Sequence, residues 1–397
     1  MRVLAALLVA LVAVVAPAAA TAAPPPDLSQ DPLDRAALLT LPSIYRVTVT
    51  YDVPALVAAD GTRLPLGAKA RRIVESGTAF GVSTGGWLAT ARHVVAPGDD
   101  TLAAMAYRNH LIYTGRAHSD AAVDAYLERT GARPAGARRV RVDVTQADAG
   151  AGARASRTWQ PVRIVPSPTA DLALVRVVAR GAPALPLDES ASIGTPVISV
   201  GFGRASAIHS AGDGLGELEP AIRRGSLSRT GTLEDETPVR QAIAISVAVQ
   251  GGDSGAPVVD GEGRVRGIVI QSTRSGGIAE RATELRQLMQ TAGVTPTTGR
   301  AAAAFRQGME ALWRLDPGAA EAAFDATLIA FPVHTLAATE RTRAEELADA
   351  RIRLAGDRRP QGVLLGLGVL AAVIAMGFAA ALLAPHVPRR GPSPRGR

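Results

Sequence analysis

The amino-acid sequence predicts a mainly β fold, a pair of β-barrels, followed by an α-helical segment and one transmembrane helix. Three observations lead there. From Ser43 onward, short runs alternate apolar and polar residues with period two between glycine-rich turns, and the amphipathic stretch Ile278 to Ala292 closes them. After the break at Thr295 to Gly299 the apolar period becomes helical. Near the end, Val363 to Ala384 carries no charge. At ~1.5 Å rise per residue it is long enough to cross a bilayer core of about 30 Å.

A chain of 397 residues can bury one large or two modest cores. Its 43 basic residues include a single lysine, Lys69, a skew that reads as a GC-rich bacterial coding bias. The net charge of +7 is spread among acids without interleaved aromatics, which argues against a nucleic-acid partner. There is no cysteine, so neither disulfides nor thiolate metal sites hold the fold. His110, His118 and Asp120 lack metal-ligand spacing, and neither a metal nor a cofactor is expected.

The elements follow in order. Arg2, the apolar run to Val15 and the small residues Ala20-Thr21-Ala22 form a secretory signal peptide over 1–22; an uncleaved anchor is the alternative. Segment 23–42, rich in proline and acid, reads as a linker. SIYRVTVTYDV, ESGTAFGVS and GWLATARHVV are strand runs, and His93 stands at the end of the third. Asp99 to Arg157 is the least patterned region. Within it Ser119 to Arg129 favours a helix capped by Ser119, and Arg139 to Val144 alternates like a strand. Strands resume at Trp159, and Asp171 stands directly before the apolar run LALVRVV. A carboxylate buried there needs a partner, and a histidine ring N–H is a natural one. TPVISVGFG, GSLSRTGTL and AIAISVAV continue the strand pattern.

Chemistry concentrates at Gln250 to Pro257, QGGDSGAP, ahead of PVVDGEGRVRGIVI, which reads as two strands joined by a tight turn. Glycines on both sides let the backbone wrap one hydroxyl, with the amides of Gly252 and Ser254 aimed at the same place. A serine hydroxyl needs a base to take its proton, and that base needs an orienting group. His93 and Asp171 are the candidates.

SGTAFGVSTGGWLATARHVV, ADLALVRV and QGGDSGAPVV, in this order, resemble the three signature segments of the trypsin-like (chymotrypsin-clan) serine proteases, especially cysteine-free bacterial members. The resemblance covers 43–292. It implies two perpendicular six-stranded antiparallel β-barrels with the active site between them and a polypeptide substrate. By matching position, Ser254 would be the nucleophile, His93 the general base and acid, and Asp171 its orienting carboxylate. The amides of Gly252 and Ser254 would form the oxyanion hole. Ala248 would floor the substrate pocket and Ile270, Gln271 and Ser272 would wall it, favouring uncharged side chains. Arg92, taken as part of an extended segment, would point away from the chemistry. The stretch Ala23 to Thr40 has no Ile-Val-Gly-Gly start, which argues against a new N-terminus pairing with Asp253.

Over 300–356, Ala301 to Leu315, Gly318 to Ala330 and Leu336 to Leu354 read as three helices. Gly308, Ala320, Phe324 and Pro332 fall at offsets resembling one tetratricopeptide hairpin, so the segment is either a module for a protein partner or a spacer. The span over 362–384 is expected to lie in the lipid bilayer, with the arginine-rich tail 385–397 cytoplasmic and the protease domain outside the cell. These readings combine into an exported, membrane-tethered serine endopeptidase. The alternative is an inactive protease-like scaffold that binds partners through its helical segment.

Overall fold

The computed structural model describes residues 31–147, 156–203, 220–233 and 240–356; the expected signal peptide, the apolar span Val363 to Ala384 and the basic tail lie outside them. Among the described residues no helix is long and apolar enough to cross a membrane.

From Asp31 on, the expected linker is helix α1 (Pro32–Thr40), running into a 3-10 turn at Leu41–Ser43. The Asp31 carboxylate accepts the Leu33 N–H at 2.8 Å and Pro32 occupies the first turn, two strong helix starters. Ala36, Ala37 and Thr40 are buried, and Leu33 and Leu41 join the same core. Nine residues were too short a window for that stripe to stand out beside the proline-rich run before it.

β1 (Ile44–Asp52) leads through the short β2 (Ala55–Val57) and β3 (Arg63–Pro65) to β4 (Arg72–Ser83) and β5 (Trp87–Ala91). A single helical turn, α2 (Arg92–Val95), precedes α3 (Asp99–Tyr113) and α4 (Asp120–Thr130). β6 (Arg133–Ala135), β7 (Arg138–Ala147), β8 (Ser156–Trp159), β9 (Arg163–Pro166) and β10 (Leu172–Arg176) complete this half. Ser119 caps α4 by accepting the Ala122 N–H, and Gly131, with φ of 58°, ends it. The sequence reading missed α3, which has no side-chain cap and buries only Leu102, Ala103, Ala106 and Leu111.

The expected first six-stranded barrel is instead a seven-stranded antiparallel sheet, in the order β8-β7-β1-β4-β5-β10-β9, with β3-β2-β6 as a separate small sheet. Its two edge strands, β8 and β9, follow one another in the chain. Among the described residues no ladder joins them, so the sheet stays open.

The second barrel is closed as expected. β11 (Pro196–Gly201), β12 (Ala221–Leu233), β13 (Arg240–Ile245), β14 (Pro257–Asp260), β15 (Val265–Thr273) and β16 (Gly276–Arg281) pair in the order β11-β12-β13-β16-β15-β14. The helix expected from Ile278 begins only at α5 (Ala282–Thr291), because residues up to Arg281 pair with β13 and β15. One core cluster joins Phe80, Leu172 and Leu174 of the first sheet to Ile198, Val259 and Ile268 of the barrel, with Leu285 and Met289 of α5 over them.

α6 (Gly299–Trp313), α7 (Pro317–Ala330) and α8 (Ala337–Gly356) match the three expected helices. Gly308 faces the Phe324 ring, where an added Cβ would lie 2.5 Å from the nearest ring atom. The hairpin is not a detached spacer. Ala301 and Phe331 belong to the core of the first sheet, and Thr297, just ahead of α6, bonds the Thr84 N–H at 3.1 Å.

Candidate active site

In the first sheet β5 lies between β4 and β10. The pairing Leu172↔Ala91 places Asp171 beside the residue that follows β5. The Arg92 N–H donates to the Asp171 carbonyl at 3.0 Å and the His93 N–H to Asp171 Oδ1 at 3.0 Å. The imidazole Nδ1 lies 2.7 Å from Asp171 Oδ2. A carboxylate can only accept there, so Nδ1 carries the proton and Nε2 is left with its lone pair. Arg92 lies in a helical turn, contrary to the extended segment expected, and its guanidinium reaches the Ser167 carbonyl at 3.4 Å. Burial on its own would lower the His93 pKa. The hydrogen bond and charge of Asp171, reinforced by the Glu75 carboxylate, outweigh it and hold the group above its ordinary 6.5. The Asp171 N–H is in turn fixed by Glu280 Oε1 at 3.1 Å, from a fully buried side chain on β16.

The loop carrying Ser254 is tied to β4 by one residue that the sequence reading passed over. Thr78 is fully buried; its N–H donates to the Ser254 carbonyl at 2.8 Å and its hydroxyl to the Gly252 carbonyl at 2.9 Å. The same hydroxyl accepts the Phe202 N–H at 2.9 Å. Gly252 and Gly255 have φ of 98° and 87°, and a Cβ would lie 2.3 Å from the Phe202 carbonyl oxygen and 2.1 Å from that of Thr78. Only glycine fits either place. Among the described residues the amides of Gly252 and Ser254 donate to no acceptor, leaving two N–H groups for an oxyanion. No hydrogen bond joins the Ser254 hydroxyl to His93 in this structure.

Asp253, 2% exposed, turns inward to Arg223 of β12, whose Nη1 lies 2.8 and 2.9 Å from its two oxygens. The Gln250 N–H adds a third bond at 2.8 Å. Burial pushes the Asp253 carboxyl above its ordinary pKa despite this pairing. Arg223 is the internal cation that pairs with this buried aspartate. A strand arginine carries no local signal of such a role in the sequence.

Of the expected pocket residues, Ile270 is buried on β15, while Gln271 and Ser272 are exposed toward its end. Ala248, expected at the base, is itself exposed. Its neighbour Val249 reaches the opposite wall. A Cβ on Gly277, which pairs with Ser272, would lie 2.5 Å from the Val249 methyl.

Residues 77–268 match the family model of the trypsin-like peptidase domain, which supports a trypsin-like serine-protease domain in this chain. No curated protein matches the chain at a significant level. The solved Rv3671c protease of M. tuberculosis, in its active form, is 18% identical, covering 70% of this chain and 91% of its own, with a TM-score of 0.42. The HtrA-type protease AlgW with tripeptide is 17% identical over 66% of this chain and 64% of its own, with a TM-score of 0.39. The serine endoprotease from Yersinia pestis is 15% identical over 65% of each chain, with a TM-score of 0.39.

Proposed function

We propose that this chain is a serine endopeptidase with Ser254 as nucleophile. The observation that carries the reading is the double hold of Asp171 on His93, through backbone N–H and ring together, next to a loop with two unspent amides. Ser254 Oγ attacks the scissile carbonyl as its proton passes to His93 Nε2. The oxyanion is held by the amides of Gly252 and Ser254, each worth a few kcal/mol. His93 then gives the proton to the leaving amine, and water repeats the sequence on the acyl-enzyme. Asp171 keeps the productive tautomer and stabilises the imidazolium. Labelling with a fluorophosphonate probe tests this: the chain is labelled, and Ser254→Ala is not. Absence of labelling on folded protein would instead favour the inactive scaffold.

The substrate we infer is a polypeptide with an uncharged side chain before the cut, since neither Ala248 nor Val249 offers a charge. Cleavage of a peptide panel checks this, and a clear preference for arginine would refute it. Export by segment 1–22 and tethering through Val363 to Ala384 are part of the proposal, supported by the composition of those segments. Added protease should degrade the Ser254 domain on intact spheroplasts; protection would place the domain inside.

A further inference from the structure

We propose a second ligand site, remote from Ser254, that takes the free carboxyl end of a polypeptide. It is a half-open groove of about 790 Å³ between α1, the β14–β15 turn and α6, and it shares no residue with the candidate triad or its pocket. That volume falls among ligand pockets, roughly 300–1,000 Å³. Leu39, Leu185, Pro186 and Ala302 give it an apolar lining.

Its charge points to an anion. The Arg35 guanidinium lies 4.8 Å above the Trp313 ring, and its Nε is buried without a hydrogen-bond partner. A buried donor left unpaired is costly, and a group so placed calls for an acceptor. Arg264, by contrast, is spent on Asp188, Asp260 and Glu262. Arg306 gives one N–H to the Glu262 carbonyl at 3.1 Å, a neutral acceptor that leaves its charge uncompensated. Together with the exposed Arg314, three cations face one further carboxylate, Glu310, along this wall. A carboxylate matches the planar fork of Arg35, and an apolar side chain next to it matches the lining. Glu310 decides between carriers of that carboxylate: a peptide N–H can donate to it, whereas a fatty acid would leave it facing hydrocarbon.

The site does not depend on catalysis, so it is tested on the full-length Ser254→Ala protein, which cannot turn the probe over. The probe is an acetylated apolar tetrapeptide with a free carboxyl end, compared with its C-terminal amide and with octanoate. The readouts are tryptophan fluorescence, with Trp313→Phe removing the signal, and calorimetric affinity. We expect the acid to bind at least about tenfold more tightly than the amide or octanoate. Arg35→Met should weaken the acid at least about tenfold while the melting temperature holds, since the methionine keeps the packing on Trp313. Equal binding of acid and amide, or unchanged affinity in Arg35→Met, overturns the site. Octanoate binding as tightly as the peptide acid overturns the choice of a polypeptide.

Discussion

Arg223→Met isolates the cation behind the nucleophile loop while keeping most of the side chain's length. In the structure Arg223 and Asp253 are 14% and 2% exposed, with nitrogen-to-oxygen contacts of 2.8 and 2.9 Å. Removing one partner of a buried pair costs about 3–5 kcal/mol, because the other charge is left unpaired. The carboxyl can avoid part of this by taking up a proton. From an ordinary pKa of 3.8, neutralisation near pH 7 costs about 4 kcal/mol at 1.36 kcal/mol per unit, and burial makes it cheaper. The expected loss near neutral pH is therefore about 3–4 kcal/mol. The sign with pH follows from linkage. Unpaired Asp253 has a folded-state pKa raised above its unfolded value, so the folded variant binds more protons than the unfolded one in the window between the two. Because Asp253 of the parent is itself raised, the deficit against the parent should shrink by about 1.4 kcal/mol per unit only while pH falls from the variant's folded-state pKa to the parent's. Urea unfolding of both proteins at about pH 7, 6 and 5 measures it. A deficit under about 1 kcal/mol at neutral pH, or one that does not change with pH, would refute the reasoning.

Four further outcomes are expected. Thr78→Val removes the bonds to the Gly252 carbonyl and the Phe202 N–H, costing about 1–3 kcal/mol in urea unfolding and lowering kcat more than it raises KM. The acid limb of kcat/KM should lie above 6.5, since a raised His93 pKa keeps the base protonated to higher pH, and Glu75→Gln should move the limb down. An unmoved limb in that variant counts against the Glu75 contribution. Val249→Ala should raise the kcat/KM ratio of large over small side chains before the cut on the order of tenfold. Deleting 299–356 should lower the melting temperature and abolish hydrolysis, because Ala301 and Phe331 are core residues of the first sheet; a truncated protein with full activity would show the hairpin to be a spacer after all.

What could be read from the sequence was whatever a short window encodes. Alternation marked β1, where Val47, Val49 and Tyr51 are buried on one face, and the glycines around Ser254 announced a loop that no other residue could form. The order His93, Asp171, Ser254 was legible because each stands at a strand end with its own flanking pattern. Closure of a sheet is different, since it depends on which N–H groups remain free when the two edges meet. Among the described residues no ladder joins β8 to β9, and no short window of the sequence announces it.

The unread part of the site has one physical character: groups that act from behind the reacting atoms, across long sequence separations. Thr78 is 174 residues from Gly252, and Glu280 is 109 from Asp171. A buried threonine or glutamate in a strand looks like a lapse in alternation until its partner is known. Such lapses are informative because burial of a polar group is affordable only where something bonds it. Thr78, Arg223 and Glu280 fix the carbonyls of the nucleophile loop, its inward aspartate, and the amide of the orienting aspartate in turn. Each holds backbone or charge next to a candidate catalytic group while leaving His93 Nε2 and the amides of Gly252 and Ser254 unspent. Conservative changes at these three positions should therefore depress kcat through misplacement, with the labelled serine still present at Ser254.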